Sequence, residues 1–238
     1  MKLQYKAAGL MMLIGTSILV LLTTFYWIQN KQVVLQKELQ NIKKSSEEIA
    51  RHMNSHLKEM ATVTTTLSSA PIIQFELLKS NSAFETLSET HRIEKIDKLN
   101  RQWKQIKDIN NPFVQKHLTN PVADFLKLQQ TIMPGMYGEI FLTNRFGVMI
   151  ASTGKLTTLA HAHKYWWKAS YNTGKGSIFF DDRGFDASVK GYVLGVVVPI
   201  RKGSEIIGIL KSNINIMGPL TDIVHSHNLM NLTKIQVA

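Results

Sequence analysis

The chain has 238 residues, 44% of them hydrophobic, and its 28 Lys and Arg against 17 Asp and Glu give a formal net charge of +11. This length and apolar content exclude a disordered or low-complexity protein, and the absence of cysteine excludes disulfide scaffolds, cysteine-ligated metals and thiol nucleophiles. Because only six basic residues are Arg and no Lys/Arg run exceeds two, the charge is diffuse, and we expect no nucleic-acid partner.

Near the N-terminus, residues 7–28 contain no charged side chain. This stretch is long enough to cross a membrane, and aromatic residues, including Tyr5 and Trp27, mark its two ends. A cleaved signal peptide is the alternative, but no small-residue cleavage site follows the apolar run. The positive-inside count is equal on both sides, and the short basic tail of residues 1–6 favours an internal N-terminus. We expect a single-pass anchor in the cell inner or plasma membrane, a cytoplasmic tail at residues 1–6, and residues 29–238 outside the cytoplasm.

A heptad pattern begins at Leu35 and meets no Gly or Pro before Pro71. Its two positions are occupied by Leu35, Ile42, Ile49, His56 and Val63, and by Leu39, Ser46, Met53, Met60 and Leu67. Eight of these ten residues are apolar, which predicts one long helix with a coiled-coil-like seam. Two interpretations stay open. The seam packs against the sheet of its own domain, or it joins two copies in a parallel homodimer rising from the membrane.

A helical region is expected over residues 29–132. After the long helix, the sequence predicts a short helix from Pro71 and a second over residues 83–109, which Asn-Asn-Pro stops. Asn120 and Pro121 then predict a capped helix to about residue 131.

From residue 133 the hydrophobic period changes from 3.6 to 2, so we expect a strand-rich module over residues 133–217. Its predicted strands are residues 138–143, 148–152, 177–181, 192–200 and 206–215, and its predicted short helix is residues 163–172. Residues 218–238 are expected to form a helix over 219–228 and, from residue 233, the start of a strand. We interpret that strand as one that is cut off.

Three segments occur in order: GEIFLTNRFGVMIAST at residues 138–153, KYWWKASYNTGKGSIFF at residues 164–180, and VLGVVVPIRKGSEIIGILKSNINI at residues 193–216. They resemble the Cache family, the PAS-like extracytoplasmic sensor domains of bacterial membrane receptors. The resemblance implies an α+β fold in which a long N-terminal helix supports a PAS-like antiparallel sheet. It implies as well that the strand from residue 233 begins a second, membrane-proximal module. It also implies a pocket for an amino acid, a carboxylate or another small metabolite, between the sheet and the loop and short helix that cover it. The output would come from a kinase, cyclase or chemoreceptor region inside the cell, as in two-component systems.

The loop at residues 159–165 departs from the family pattern, because it carries two histidines and a lysine where family members often have acidic residues. This departure favours an anionic ligand. Trp166 and Trp167 follow, about 100° apart on a helix, so we expect one to pack in the core and the other to form a wall of the pocket. The candidate ligand-binding residues around them are Tyr165, Trp166, Lys168 and Tyr171. Lys168 is placed to pair with a carboxylate, although a solvated lysine is the more common case.

Asp181 and Asp182 end a predicted strand beside the expected pocket. In related sensors this region often supplies an aspartate that holds the amino group of a ligand, so the resemblance implies a binding role for both. An ordinary turn would also explain these residues. Tyr192 is a further candidate on the next strand, with Ser188 and Lys190 as weaker ones.

We expect neither an enzyme nor a cofactor. Gly174-Lys175-Gly176 lacks the spacing of a phosphate loop, and no nucleophile elbow or catalytic set is visible. His52 and His56 have a zinc-compatible spacing, but no Glu follows His52 as in a metalloprotease, so no metal is expected. The sequence predicts the ligand-sensing region of a bacterial receptor, whose catalytic output would lie outside this chain. The alternative is a membrane-anchored interaction or adhesion protein with a sensor-like fold.

Overall fold

The structure is a computed structural model, and it describes residues 2–186, 191–215 and 221. The chain divides into two compact units, Met1–Asn54 and Ser55–Ala238. Its first element, α1 (Lys2–Ser68), is one helix of 67 residues. The expected anchor and the expected heptad helix are therefore continuous, with no break between them.

In the first unit, the apolar residues of α1 are exposed. The most apolar window of 18 residues has a mean hydropathy of 2.0 and none of it is buried, so by length and composition α1 is able to cross a membrane. Further along, the seam residues Leu35, Leu39 and Ile42 are also exposed. This part of the seam has no partner among the described residues.

In the second unit, the end of α1 packs into the core. Met60, Ala61 and Leu67 are buried, and Val63 packs against the same cluster. The cluster includes Ile140 and other residues of the sheet. Of the two interpretations of the seam, packing against the sheet of the same domain is therefore correct for its last two heptads.

Four helices follow, namely α2 (Pro71–Glu85), α3 (Glu89–Gln105), α4 (Pro112–Leu118) and α5 (Pro121–Ile132). Side chains before three of them accept hydrogen bonds from their first turns: Ser88 from His91 N, Asn111 from Phe113 N, and Asn120 from Ala123 N. The predicted helix over residues 83–109 is wrong at both ends. At the start, α2 continues to Glu85 and Ser88 caps a new helix. At the end, that helix stops at Gln105. The short helix α4 was not predicted. The capped helix α5 is confirmed.

Five strands form one antiparallel sheet, namely β1 (Tyr137–Asn144), β2 (Met149–Ser152), β3 (Phe179–Asp186), β4 (Gly191–Lys202) and β5 (Glu205–Asn215). Their order across the sheet is β2-β1-β5-β4-β3, so β5 lies in the centre. A short helix, α6 (Tyr165–Tyr171), lies between β2 and β3 in the chain. The predicted α+β fold with an antiparallel sheet is confirmed. The predicted helix over 219–228 and the predicted strand from 233 lie outside the described residues, Thr221 excepted.

Both faces of the sheet are covered. On one face Ile140, Val198 and Leu210 pack with Leu77 of α2 and Leu126 of α5. On the other face the β1, β4 and β5 side chains meet three tryptophans; the members of this cluster include Phe141, Val197, Ile209, Trp103, Trp166 and Trp167. Successive residues of a strand point to opposite faces, which explains why neighbours such as Ile140 and Phe141 belong to different clusters. We call the second face the α6 face, since it carries the candidate site.

Candidate functional site

The helix α6 lies on the α6 face, and the two residues after it have a left-handed backbone conformation. Asn172 and Thr173 have positive φ angles of 46° and 52°. Asn tolerates this left-handed conformation at a helix end better than most residues. The Gly176 amide then donates to the Tyr171 carbonyl at 3.1 Å, which returns the chain towards β3. These features end α6 after seven residues.

Both indoles of α6 are buried in one core, so the expectation that Trp166 and Trp167 would diverge is wrong. Trp166 meets the Phe141 ring edge-on, with 5.7 Å between the ring centroids. Trp167 donates from Nε1 to Thr143 Oγ1 at 3.0 Å and stacks on Tyr171. Phe141 and Thr143 are two residues apart and share a face of β1. Because α6 lies along this face, its two indoles straddle the helix axis and both reach the sheet.

Beneath α6 lies a buried ion pair between Asp181 of β3 and Lys211 of β5. Their side chains are 2% and 6% exposed, and Lys211 Nζ donates to Asp181 Oδ2. The Tyr165 hydroxyl donates to the other oxygen, Oδ1. Lys211 Nζ also lies 4.6 Å from the centre of a Trp166 ring. The carboxylate is therefore satisfied on both oxygens, and the ammonium has an aromatic face above it.

Two more polar side chains, Asn213 and Glu139, lie beside the Asp181–Lys211 pair on the α6 face. We call these four residues the buried polar strip. Asn213 follows Lys211 by two positions on β5, and its Nδ2 donates to Glu139 Oε2 of β1 at 3.4 Å. Both Asn213 and Glu139 are buried. The face that carries the aromatic core thus also carries a line of buried polar groups, which require hydrogen-bond partners.

His161 in the loop before α6 lies in this core with its ring against Phe141 and Trp166, at centroid distances of 5.2 and 5.5 Å. Burial lowers its pKa to about 3, and the positive charges of Lys164 and Lys211 act in the same direction. Among the described residues, neither ring nitrogen makes a hydrogen bond of normal geometry, although a contact with the Thr158 backbone favours the protonated form. A neutral imidazole has one donor and one acceptor, and in the described part of the chain neither has a partner at hydrogen-bond geometry.

The loop that carries His161 is held by α3. Asn100 Oδ1 accepts from the backbone amides of Leu159 and Ala160, at 3.0 and 3.2 Å. Trp103 Nε1 donates to the Leu156 carbonyl at 2.7 Å. Three hydrogen bonds from two α3 side chains therefore fix the loop over the sheet.

Of the seven ligand-binding candidates, the structure brings together Tyr165, Trp166 and Asp181. Tyr171 is half-buried and packs against Trp167, while Lys168 and Asp182 are exposed. The Tyr192 side chain lies outside the described part of the structure, as do Ser188 and Lys190. Whether these residues bind a ligand stays a prediction.

Sequence reasoning missed Lys211, Glu139 and Asn213, and it considered His161 only as a residue of the loop before α6. Lys211 had a signal, since it is a charged residue at an inward position of the apolar run over 206–214. The sequence of this run does not indicate that Asp181 is the partner of Lys211. Glu139 and Asn213 had the same kind of signal, a polar residue at an inward position of a strand.

No protein-family model matches the sequence, and no curated protein matches it. Several solved structures are similar to it. The sensor domain of the V. cholerae histidine kinase DctB is 16% identical with a TM-score of 0.45, over 76% of this chain and 57% of that one. The ligand-binding domain of the Campylobacter jejuni chemoreceptor Tlp3, in complex with L-valine, is 20% identical with a TM-score of 0.36, over 74% and 66%.

A third similar structure is the ligand-binding domain of the Pseudomonas aeruginosa amino acid chemoreceptor PctC in complex with GABA. It is 14% identical with a TM-score of 0.32, over 71% of this chain and 64% of that one. The chain spans less than two thirds of the length of each of the three. Their ligands are properties of those proteins.

Proposed function

We propose that this chain is the ligand-sensing region of a bacterial membrane signal-transduction receptor, anchored by the apolar part of α1, with residues 29–238 outside the cytoplasm. The observation that carries the proposal is the buried polar strip beneath α6 together with His161. Asp181 and Lys211 of the strip are paired, whereas the His161 nitrogens have no hydrogen-bond partner among the described residues. Polar groups without partners are costly in a core and are expected where a ligand supplies the missing contacts.

The class of ligand follows from which polar groups of the site still lack hydrogen-bond partners. Both oxygens of Asp181 accept from side chains of the chain itself, so this carboxylate is not offered to the amino group of a ligand. His161 offers an N–H donor and a ring acceptor between the rings of Phe141 and Trp166. A small carboxylate accepts from the N–H, and an amino acid is able to use both nitrogens. We infer a small metabolite that carries a carboxylate.

The signal would leave through α1. Met60 and Leu67 of α1 pack in the core on the opposite side of the sheet from α6. A ligand that binds one arrangement of the sheet more tightly shifts the population towards it and moves the end of α1 with it. The exposed seam residues Leu35, Leu39 and Ile42 support a parallel homodimer through α1, in which such a movement is passed to the membrane helices.

The experiment is a thermal-shift screen of the full chain in detergent against the proteinogenic L-amino acids and short mono- and dicarboxylates. We expect at least one compound to stabilise the chain. His161→Phe keeps an aromatic ring but removes both nitrogens, and it is expected to weaken that compound at least tenfold. Asp97→Asn is the control, because Asp97 is exposed on α3 and is neither a candidate ligand-binding residue nor part of the buried strip.

A compound that stabilises wild type and His161→Phe equally would overturn the site. A screen with no stabilising compound would overturn the sensor proposal and favour the interaction or adhesion protein. For that alternative, the expected finding is a protein partner that binds the chain outside the α6 face.

A further inference from the structure

A cavity lies away from the α6 site, between α2, α3 and α4 and the edge strand β2. Its volume is about 570 Å³. Small-molecule sites commonly enclose roughly 300–1,000 Å³, so this cavity has room for an organic ligand. Its lining includes no residue of α6, β3 or β5. The two sites therefore use different side chains.

The floor of the cavity is apolar. Phe84, Val148, Met149 and Leu159 are buried and line it, and Leu99 is half-buried beside them. Such a surface favours the hydrocarbon part of a ligand, because transfer of apolar area out of water is favourable. An inorganic ion would leave this floor in contact with water.

The rim of the cavity is positively charged. It carries one lysine from each of three helices: Lys79 from α2, Lys95 from α3 and Lys116 from α4. Glu76 is the one carboxylate in the described lining, and it lies 3.4 Å from Lys79 Nζ. Within the described residues, neither Lys95 nor Lys116 has a carboxylate at ion-pair distance. Lys95 Nζ lies 4.8 Å from the centre of the Phe84 ring, on the apolar floor. Two ammonium groups from separate helices, without a carboxylate among the described residues, thus line one cavity.

His117 forms part of the wall and adds aromatic surface rather than charge. Its ring meets Phe113 and Trp103, each at a centroid distance of 5.4 Å, and its Nδ1 donates to the Phe113 carbonyl at 3.0 Å. Burial lowers its pKa, the hydrogen bond to Phe113 opposes this, and the charge of Lys116 lowers it further. The imidazole is therefore neutral at pH 7, and the positive charge of the cavity comes from the lysines.

We propose that this cavity is a second binding site, which takes a small organic carboxylate with an aromatic or aliphatic body. The carboxylate lies between Lys95 and Lys116, and the body lies on the floor formed by Phe84, Met149 and Leu159. The matching of an apolar floor to a cationic rim is what selects this class of ligand. The site goes beyond the proposed sensing site, since none of its residues belongs to the strip under α6.

The test uses the full chain in lipid nanodiscs, with 4-fluorophenylacetate as the probe and ¹⁹F relaxation as the readout. Empty nanodiscs correct for partition into lipid. The matched neutral probe is 4-fluorophenylacetamide, which has the same shape without the charge. We expect saturable binding of the acid and at least tenfold weaker binding of the amide.

The variant Lys95→Met/Lys116→Met is expected to weaken binding of the acid at least tenfold, because it removes both charges and keeps the side-chain stems. Lys98→Met/Lys107→Met removes two charges outside the lining, and we expect its affinity to equal that of wild type. His161→Phe is expected to leave the probe bound, which separates this site from the sensing site.

Three results would overturn the proposal. They are no saturable binding of the acid, equal losses in the two double-lysine variants, or loss of the probe in His161→Phe with retention in Lys95→Met/Lys116→Met. The last result would assign the probe to the sensing site instead.

Discussion

Gly195 of β4 lies directly beneath the aliphatic stem of Lys211. A Cβ atom on residue 195 would lie 2.7 Å from Lys211 Cε and 3.0 Å from Asp181 Cβ. β4 separates the strand of Lys211 from the strand of Asp181. The lysine therefore reaches its partner by crossing a neighbouring strand at a residue that has no side chain.

Gly195→Ala is expected to destabilise the fold by about 1–3 kcal/mol, because the new methyl group forces the buried ion pair to shift. The free energy of unfolding, from denaturant titration followed by tryptophan fluorescence, measures the effect. Gly154→Ala is the control, since its Cβ would come no closer than 3.9 Å to Glu139 Oε1. Equal stability of the two variants would mean that the lysine stem has room to move.

Removal of one partner of the ion pair is expected to cost more than removal of both. Lys211→Met leaves the Asp181 charge buried, and we expect a loss of roughly 3–5 kcal/mol. Asp181→Asn in the same chain removes that charge and keeps an oxygen for the Tyr165 hydroxyl, so most of the loss is regained. If the double variant is no more stable than Lys211→Met, the loss of stability in Lys211→Met comes mainly from the packing of the lysine stem and not from the unpaired Asp181 charge.

His161 makes stability depend on pH in a defined window. Its pKa is about 3 in the folded chain and near 6.5 when unfolded. The unfolded state therefore binds a proton first as pH falls, and stability is lost from about pH 6.5 downwards at roughly 1.4 kcal/mol per unit. Between pH 7 and pH 5, wild type is expected to lose about 2 kcal/mol more than His161→Phe. Parallel pH profiles of the two unfolding free energies would show that the imidazole is not buried in the neutral form.

The homodimer is testable because the chain has no cysteine, so that an introduced one is unique. Ile42→Cys lies on the seam, and in a parallel dimer we expect oxidation to cross-link it within membranes. Lys43→Cys is the matched control on the next residue of the helix. Cross-linking of neither variant, or of both equally, would contradict a parallel dimer through this seam.

The orientation in the membrane is testable in the same way. Lys107→Cys is expected to react with a membrane-impermeant maleimide in intact cells, because residue 107 is in the region proposed to lie outside the cytoplasm. Lys6→Cys is expected to react only after permeabilisation. The reverse pattern would invert the proposed topology.

Local chemistry made much of the fold predictable. Asn120 before Pro121 predicted the start of α5, and the change of hydrophobic period near residue 133 predicted the sheet. The prediction of helix boundaries failed where helical periodicity and a capping residue indicated different structures. Helical periodicity continued through Ser88, but its hydroxyl caps α3 and divides the expected helix in two.

The polar strip was less predictable because it depends on strand order. Asp181 and Lys211 are 30 positions apart, on strands that do not pair directly. The burial of His161 likewise depends on Phe141 and Trp166, which meet it only when β1 and α6 are in place. The cationic rim of the cavity beside β2 has one lysine from each of α2, α3 and α4, a distribution that leaves no pattern in the sequence.

The loop that α3 holds runs between the two proposed binding sites. Leu159 lines the cavity beside α2, α3 and α4, its amide donates to Asn100 Oδ1, and His161 lies two residues further along the same loop. If a ligand in that cavity displaces Leu159 and His161 together, thermodynamic linkage requires each ligand to influence the other equally. A receptor built this way would respond to the concentrations of two compounds together, each setting the threshold for the other.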